Sequence, residues 1–221
     1  YQPRTVTFQL PDFIRIVFNA GDARNAIGAT IGQSLPNWGP VAAEGRGRTV
    51  AMSNLYTDAD SMRVRRDKAA SVLSVQAMAD YPSDPNISIL STVLHEAMHN
   101  LGPSHEYRYQ GKKDDEAFGG DLASMLEELK AQTGALYFMP FLRDQGIFTD
   151  EQARRAFVDS VVWGLNHVSR GMFTASGQRK AYSQLAAIQI GFLLDEGVLS
   201  WSPTEKAANG TGMNQSQMIW I

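Results

Sequence analysis

From Asp58 onward the chain consists of helix-length segments separated by strong stop signals, and this pattern limits the possible folds more than any other feature. Asp84-Pro85 predicts a helix start, because aspartate caps a first turn and proline fits the first helical position. Thr149-Asp150-Glu151-Gln152 has the form of a capping box. Gly102-Pro103 and Pro140 are expected to end helices. The helical segments predicted in this way are 58–80, 84–100, 121–139, 150–170 and 176–196.

The first 55 residues lack this periodicity and are rich in turn-forming residues. Residues 5–10, 15–19 and 48–55 are predicted to be short strands. Residues 28–47, with several glycines and prolines, are predicted to be a long irregular loop that lines a cleft. The expected fold is therefore mainly α with a small N-terminal β element, in one domain over 1–203. Its β- and loop-rich part is 1–56, its helical part is 57–203, and a loosely held tail follows over 204–221.

Composition excludes several classes of protein. The chain has no cysteine, which removes disulfides, thiolate nucleophiles and iron–sulfur clusters. A net charge of −3 without a strong basic patch argues against nucleic-acid binding, and no apolar run is long enough for a membrane span. We expect a soluble chain. Because it begins with Tyr1, an export signal removed upstream is compatible with the sequence, but neither compartment nor oligomeric state is predicted.

The most informative motif is His95-Glu96-Ala97-Met98-His99. On a helix, positions i and i+4 lie on one face, so both imidazoles can bind the same metal ion with Glu96 beside it. Zinc in a catalytic site needs a third protein ligand and lowers the pKa of water, whose proton the glutamate can take. Apolar neighbours such as Leu94 and Met98 predict that this helix is buried, where a metal would satisfy its polar side chains.

Two residues are candidates for the third ligand. His105 completes the spacing H-E-x-x-H-x-x-G-x-x-H, which is the metzincin pattern. Glu128 lies on a later predicted helix. There Ala131 and Ala135 form a face of small side chains that would allow close approach to the helix predicted over 84–100. Long helices follow the motif here, without a convincing methionine turn, which favours Glu128 over His105.

The sequence also resembles a known family. Residues 95–103 and 127–137, with weaker blocks at 163–165 and 193–197, look like the catalytic half of dipeptidyl peptidase III-like, or M49-like, zinc hydrolases. The branch with the shorter HExxH motif is the most similar. The resemblance covers about two thirds of the chain and implies a gluzincin-like pair of zinc-binding helices.

The resemblance implies one Zn²⁺ ion with His95, His99 and Glu128 as ligands and Glu96 as the general base. Two positions depart from the family. Gln132 stands where the family has a carboxylate that supports a histidine ligand. Tyr182 stands where the family has a histidine that assists the substrate carbonyl, and a phenol can donate to a developing oxyanion.

The predicted function is therefore a zinc-dependent hydrolase, most simply a metallopeptidase that cleaves peptide or amide bonds. Its catalytic residues would be Glu96 and Tyr182, with His167 or Arg170 as the next candidates for the oxyanion donor. Two alternatives remain: a metzincin-type protease that uses His105, and a zinc-binding interaction domain that has lost catalysis. The family's larger substrate-binding lobe has no counterpart in this sequence.

Overall fold

Helices make up most of the part of the chain that the computed structural model describes, which is residues 11–15, 17, 32–35, 40–43, 48–99, 101, 108–210 and 218–220. The prediction of a mainly α fold with a small N-terminal β element is confirmed. The helices are α1 (Pro40–Ala43), α2 (Asn54–Thr57), α3 (Ala59–Ala70), α4 (Val75–Ala79), α5 (Pro85–His99), α6 (Asp114–Phe118), α7 (Gly120–Asp144), α8 (Asp150–Val168) and α9 (Ala181–Asp195). The strands are β1 (Asp12–Ile14), β2 (Gly32–Leu35), β3 (Arg48–Met52), β4 (Ser200–Ser202) and β5 (Met218–Trp220).

The N-terminal sheet has the order β1-β3-β2, with β1 parallel and β2 antiparallel to β3. Strand β3 confirms most of the prediction for 48–55. The prediction of a loop over 28–47 is wrong in two places, because β2 and α1 lie within this segment. For β2, pairing with the distant β3 outweighs the local preference of glycine for turns. Arg15 and Val17 are not in a strand, and β1 precedes them. The strand predicted over 5–10 lies outside the described residues.

The predicted helical starts are confirmed at two caps. The Thr149 hydroxyl accepts the backbone N–H of Gln152, and the Gln152 side chain accepts the N–H of Thr149, which is the predicted capping box. The Asp84 carboxylate accepts the N–H of Asn86 at the start of α5. The segment over 58–80 is two helices, since the chain turns at 71–74 and Ser74 caps α4. The stop signal predicted at 102–103 lies outside the described residues.

Pro140 does not end α7, contrary to the prediction. The helix continues to Asp144 with this proline inside it, although proline removes one hydrogen bond of the helical ladder. The neighbouring Met139 is 2% exposed and packs with Ile87 and Phe148, so burial of the apolar face holds the helix through the proline. Helix α9 begins at Ala181 rather than near 176, because Phe173 and Arg179 form a β-bridge before it.

Helices α5 and α7 pack closely along small residues. Ala131 and Ala135 of α7 are buried against Met98 of α5, which confirms the predicted small face. At Gly134 a Cβ would lie 2.9 Å from the Met98 side chain, so even a methyl group there would force a shift. This close approach places Glu128, one turn before Ala131, beside the histidines of α5.

The beginning of the predicted loose tail is packed against the helical body. Ala207 is 4% exposed, the N–H of Ala208 donates to Leu73 O, and that of Asn209 donates to Ala70 O. Strand β5 pairs antiparallel with β4. Parts of the tail predicted over 204–221 are thus attached, while the domain boundaries stay a prediction. Among the described residues, no helix combines the length and the apolar character needed to cross a lipid bilayer.

Candidate metal centre

Two histidines of α5 and one glutamate of α7 bring their ligand atoms to one point. One ligand atom each of His95, His99 and Glu128 lies within 4.8 Å of the other two. The Glu128 Oε2 atom is 3.1 Å from His95 Nε2 and 3.7 Å from His99 Nε2. The two imidazole rings stand edge to face with centroids 4.9 Å apart, as expected for side chains one helical turn apart.

The second nitrogen of each ring has its own acceptor. His95 Nδ1 is 3.0 Å from Gln132 Oε1, and His99 Nδ1 is 3.0 Å from Glu127 Oε1. In the tautomer that donates each Nδ1–H to these oxygens, both Nε2 lone pairs are available to bind a metal ion. Outer partners of this kind fix the ring orientation and tautomer of histidines that bind metals. Lys130 also contacts the same Glu127 oxygen, at 2.7 Å.

The pKa shifts of Glu128 and His95 go in opposite directions. Burial alone would raise the pKa of Glu128, but the hydrogen bond and charge of His95 outweigh it and lower that pKa. Burial would likewise lower the pKa of His95, whereas the hydrogen bond and negative charge of Glu128 raise it. Glu128 is therefore held as a carboxylate, the form in which it can bind a cation.

Glu96 lies beside the ligand group without being part of it. It is 7% exposed, and burial is the main cause of its raised pKa, with the charges of His95 and His99 opposing the shift. Strand β2 passes close to it, since a Cβ on Gly32 would be 2.8 Å from Glu96 Oε1. A buried glutamate with a raised pKa beside a metal site has the property expected of a general base.

Tyr182, at the start of α9, reaches the same cluster. Its hydroxyl hydrogen-bonds the Glu128 carboxylate, and burial together with that negative charge raises its pKa. Its ring packs against Trp163 and His167 of α8. Burial, and secondarily the charge of Arg170, lowers the pKa of His167 to about 4, so this imidazole is neutral at pH 7.

The donor set fits zinc. Two imidazole nitrogens and one carboxylate oxygen form one of the sets found in catalytic zinc sites, where three protein ligands leave a position open. Both Nε2 atoms face the Glu128 carboxylate, and a cation would satisfy all three groups at once. The alternative ligand His105 lies outside the described residues. The predicted roles of His95, His99, Glu128, Glu96 and Tyr182 stay predictions, although the structure brings all five residues together.

Sequence analysis missed several neighbours of the site. Glu127 stood next to Glu128 in the motif, but nothing in the sequence indicated that it would bind His99. Ser160 of α8, whose oxygen accepts the Gln132 amide N–H at 3.2 Å, gave no sequence signal. The hydroxyls of Tyr56 and Thr92 hydrogen-bond each other one turn before Glu96, and their meeting depends on the packing of α2 on α5.

Comparison with known proteins gives a structural match only. No protein-family model and no curated protein sequence matches the chain. Eleven chains of solved structures match it. Among them is DPP III from Caldithrix abyssi, with a TM-score of 0.69 and 20% sequence identity over 83% of the present chain. The match spans 33% of that protein's chain. This chain therefore has a DPP III-like fold that corresponds to about a third of that protein.

Proposed function

We propose that this chain is a zinc-dependent hydrolase that cleaves peptide or other amide bonds, with one zinc ion bound by His95, His99 and Glu128. The observation that carries the proposal is the convergence of two imidazole Nε2 atoms and the Glu128 carboxylate within 4.8 Å, beside the buried Glu96. The DPP III-like fold and the motif resemblance to dipeptidyl peptidase III-like zinc hydrolases support the same conclusion.

In this proposal the chain's own residues supply proton transfer and positioning. A bound zinc ion supplies Lewis acidity, which lowers the pKa of water and polarises an amide carbonyl. Glu96 takes a proton from the attacking water and gives it to the departing amine. Because its pKa is raised, the Glu96 carboxylate is a stronger base than an ordinary glutamate. It is therefore better suited to accept a proton and later return it.

Tyr182 is the proposed donor to the substrate oxygen that gains negative charge. Its hydroxyl already lies in hydrogen-bond contact with Glu128, so it is at the edge of the proposed zinc site. A phenol is protonated at pH 7, as a hydrogen-bond donor must be, and the raised pKa of Tyr182 extends this protonated form to higher pH. His167 packs on the Tyr182 ring, where we propose that it supports the position of the tyrosine.

A second candidate function is a zinc-binding interaction domain without catalysis. Two observations favour it: Gln132 replaces the family's carboxylate next to His95, and the chain spans only a third of the DPP III chain that it matches. Both candidates bind zinc at the same residues. They differ in whether Glu96 and Tyr182 support turnover.

Zinc stoichiometry of the purified chain and its variants tests the proposed ligand set. We expect one zinc per chain, lost in Glu128→Gln and kept in His105→Ala and in the exposed control Glu196→Gln. Hydrolysis of a panel of short synthetic peptides by the zinc-loaded protein then separates the two candidates. Zinc retained in Glu128→Gln but lost in His105→Ala would refute the ligand set, and zinc binding without turnover of any peptide would favour the interaction domain.

A further inference from the structure

A chain of hydrogen bonds runs from the proposed metal site across three helices. His95 Nδ1 on α5 is 3.0 Å from Gln132 Oε1 on α7. The other end of the same amide, Gln132 Nε2, donates to Ser160 Oγ on α8 at 3.2 Å. Each bond joins a different pair of helices, so Gln132 connects His95 to Ser160, a residue that does not touch the imidazole.

The two ends of an amide are chemically different, and this makes Gln132 sensitive to its orientation. When the carbonyl oxygen accepts the Nδ1–H of His95, Nε2 is the nitrogen that can bind a metal ion. If the amide were reversed, its NH₂ group would face Nδ1. Nδ1 would then have to accept, and the proton would move to Nε2, where it blocks metal binding. A carboxylate at position 132 would present an acceptor with either oxygen.

We propose that Ser160 is a positioning residue that anchors the Gln132 side chain where its amide meets His95. The proposal rests on the proposed zinc site. The Ser160 oxygen gives the amide NH₂ group a partner on the side away from the imidazole, and an unpartnered NH₂ group in this partly buried position would be costly. An alanine at 160 removes that partner, so the Gln132 side chain is no longer held against α8 and supports His95 less well.

A double-mutant cycle on zinc affinity tests this role. The zinc Kd is measured by competition with a chelator of known affinity for wild type, Ser160→Ala, Gln132→Glu and the double variant. We expect Ser160→Ala to weaken zinc binding about 10-fold, the lower end of the range for outer partners of metal ligands. In the Gln132→Glu background the same change should weaken zinc binding about 2-fold or less, because a charged carboxylate binds the imidazole N–H more strongly and depends less on a second contact. An equal loss in both backgrounds would overturn the proposal.

A matched control separates positioning from general loosening of the helices. The Ser88 hydroxyl on α5 donates to Asp159 on α8 at 2.7 Å. This bond also links α8 to α5, but it does not involve Gln132. Ser88→Ala should lower the melting temperature and leave the zinc Kd unchanged. If Ser88→Ala weakens zinc binding as much as Ser160→Ala does, loosening explains both effects and the role of Ser160 is refuted.

A conservative variant keeps the test decisive even where Ser160→Ala folds poorly. Ser160→Thr retains the hydroxyl oxygen and should bind zinc about as tightly as wild type, whereas a Kd as weak as that of the alanine variant would contradict the proposal. The zinc Kd of the wild-type protein separates failure of the proposed function from failure of the proposed role of Ser160. Absence of zinc binding in wild type refutes the proposed function, while tight binding with an additive cycle refutes only the role of Ser160.

Discussion

Three carboxylates surround the two imidazoles of the candidate site, and their surroundings differ. Glu128 contacts both histidines, Glu127 binds His99 and Lys130, and Glu96 carries a raised pKa through burial. Such a concentration of acidic groups in a poorly hydrated place is unfavourable unless cationic partners balance it. A divalent cation held by three of these five side chains is a simple way to balance it.

Replacement of Glu96 distinguishes a general base from a metal ligand. We expect Glu96→Gln to keep one zinc per chain and most of its stability, because the amide has nearly the same shape and Glu96 is outside the group of converging ligand atoms. Peptide hydrolysis should fall about 100-fold or more, the range for loss of a general base. Zinc analysis beside a peptide assay measures both effects. Loss of the metal in this variant would show that Glu96 is a ligand.

Replacement of Tyr182 distinguishes two uses of its hydroxyl, which contacts Glu128 in the structure. If the hydroxyl donates to the substrate oxygen, Tyr182→Phe lowers kcat about 100- to 1,000-fold even at saturating zinc. That is the outcome we expect. A hydroxyl that only supports Glu128 would instead weaken zinc binding, with kcat restored when zinc is saturating. Measuring kcat over a zinc titration separates these results, and Tyr137→Phe, at an exposed position of α7, is the control.

At the scale of secondary-structure elements, the spacing of α5 and α7 decides whether the site can form. Small residues at Ala131, Gly134 and Ala135 let α7 approach Met98 of α5. Helix α8 then contacts both helices. Asp159 accepts a hydrogen bond from Ser88 of α5, and Ser160 accepts one from Gln132 of α7. Helix packing therefore sets the geometry of the candidate ligands His95, His99 and Glu128, which favours a rigid site.

A larger side chain in this interface should disturb the site and the fold together. Ala131 is fully buried one turn from Glu128, so Ala131→Leu forces α7 away from α5. We expect a loss of stability of about 1–3 kcal/mol, the usual cost of overpacking, together with weaker zinc binding. Urea unfolding and chelator competition measure the two effects. Ser124→Leu, exposed on the same helix, should change neither, and an unchanged zinc Kd in Ala131→Leu would show that helix spacing does not control the ligands.

At the scale of the whole molecule, the helices pack around hydrophobic clusters. One cluster joins Leu73 and Val161 with residues of α4, and a second joins Ile87, Met139 and Phe148. Both clusters consist of hydrophobic residues that several helices contribute. Because burial of apolar surface is the dominant favourable term in folding, we expect the helical body to keep its core without a metal ion.

Removal of the metal should therefore lower stability without unfolding the chain. Bound zinc stabilises the folded state by RT ln(1 + [L]/Kd), about 2.7 kcal/mol when free zinc is 100 times the Kd. For a chain of this size we expect the melting temperature to drop by about 5–10 °C in excess chelator. Far-UV circular dichroism should show the same helix content at about 20 °C before and after chelation, with recovery on adding zinc. Loss of the helical signal would show that zinc is required for folding.

The sequence by itself determined the helical class of the chain, the caps at Asp84 and Thr149, and the small face of α7. These depend on local chemistry: a cap bonds to the next turn, and helical spacing decides which side chains share a face. That His95 and His99 share one face of a helix could be predicted for the same reason. Tertiary structure alone decided that β2 forms inside a predicted loop and that α7 continues through Pro140. It also decided that Ser160 and Glu127 complete the surroundings of the site, because their partners lie on other helices, and contacts between distant segments form only when the whole chain packs.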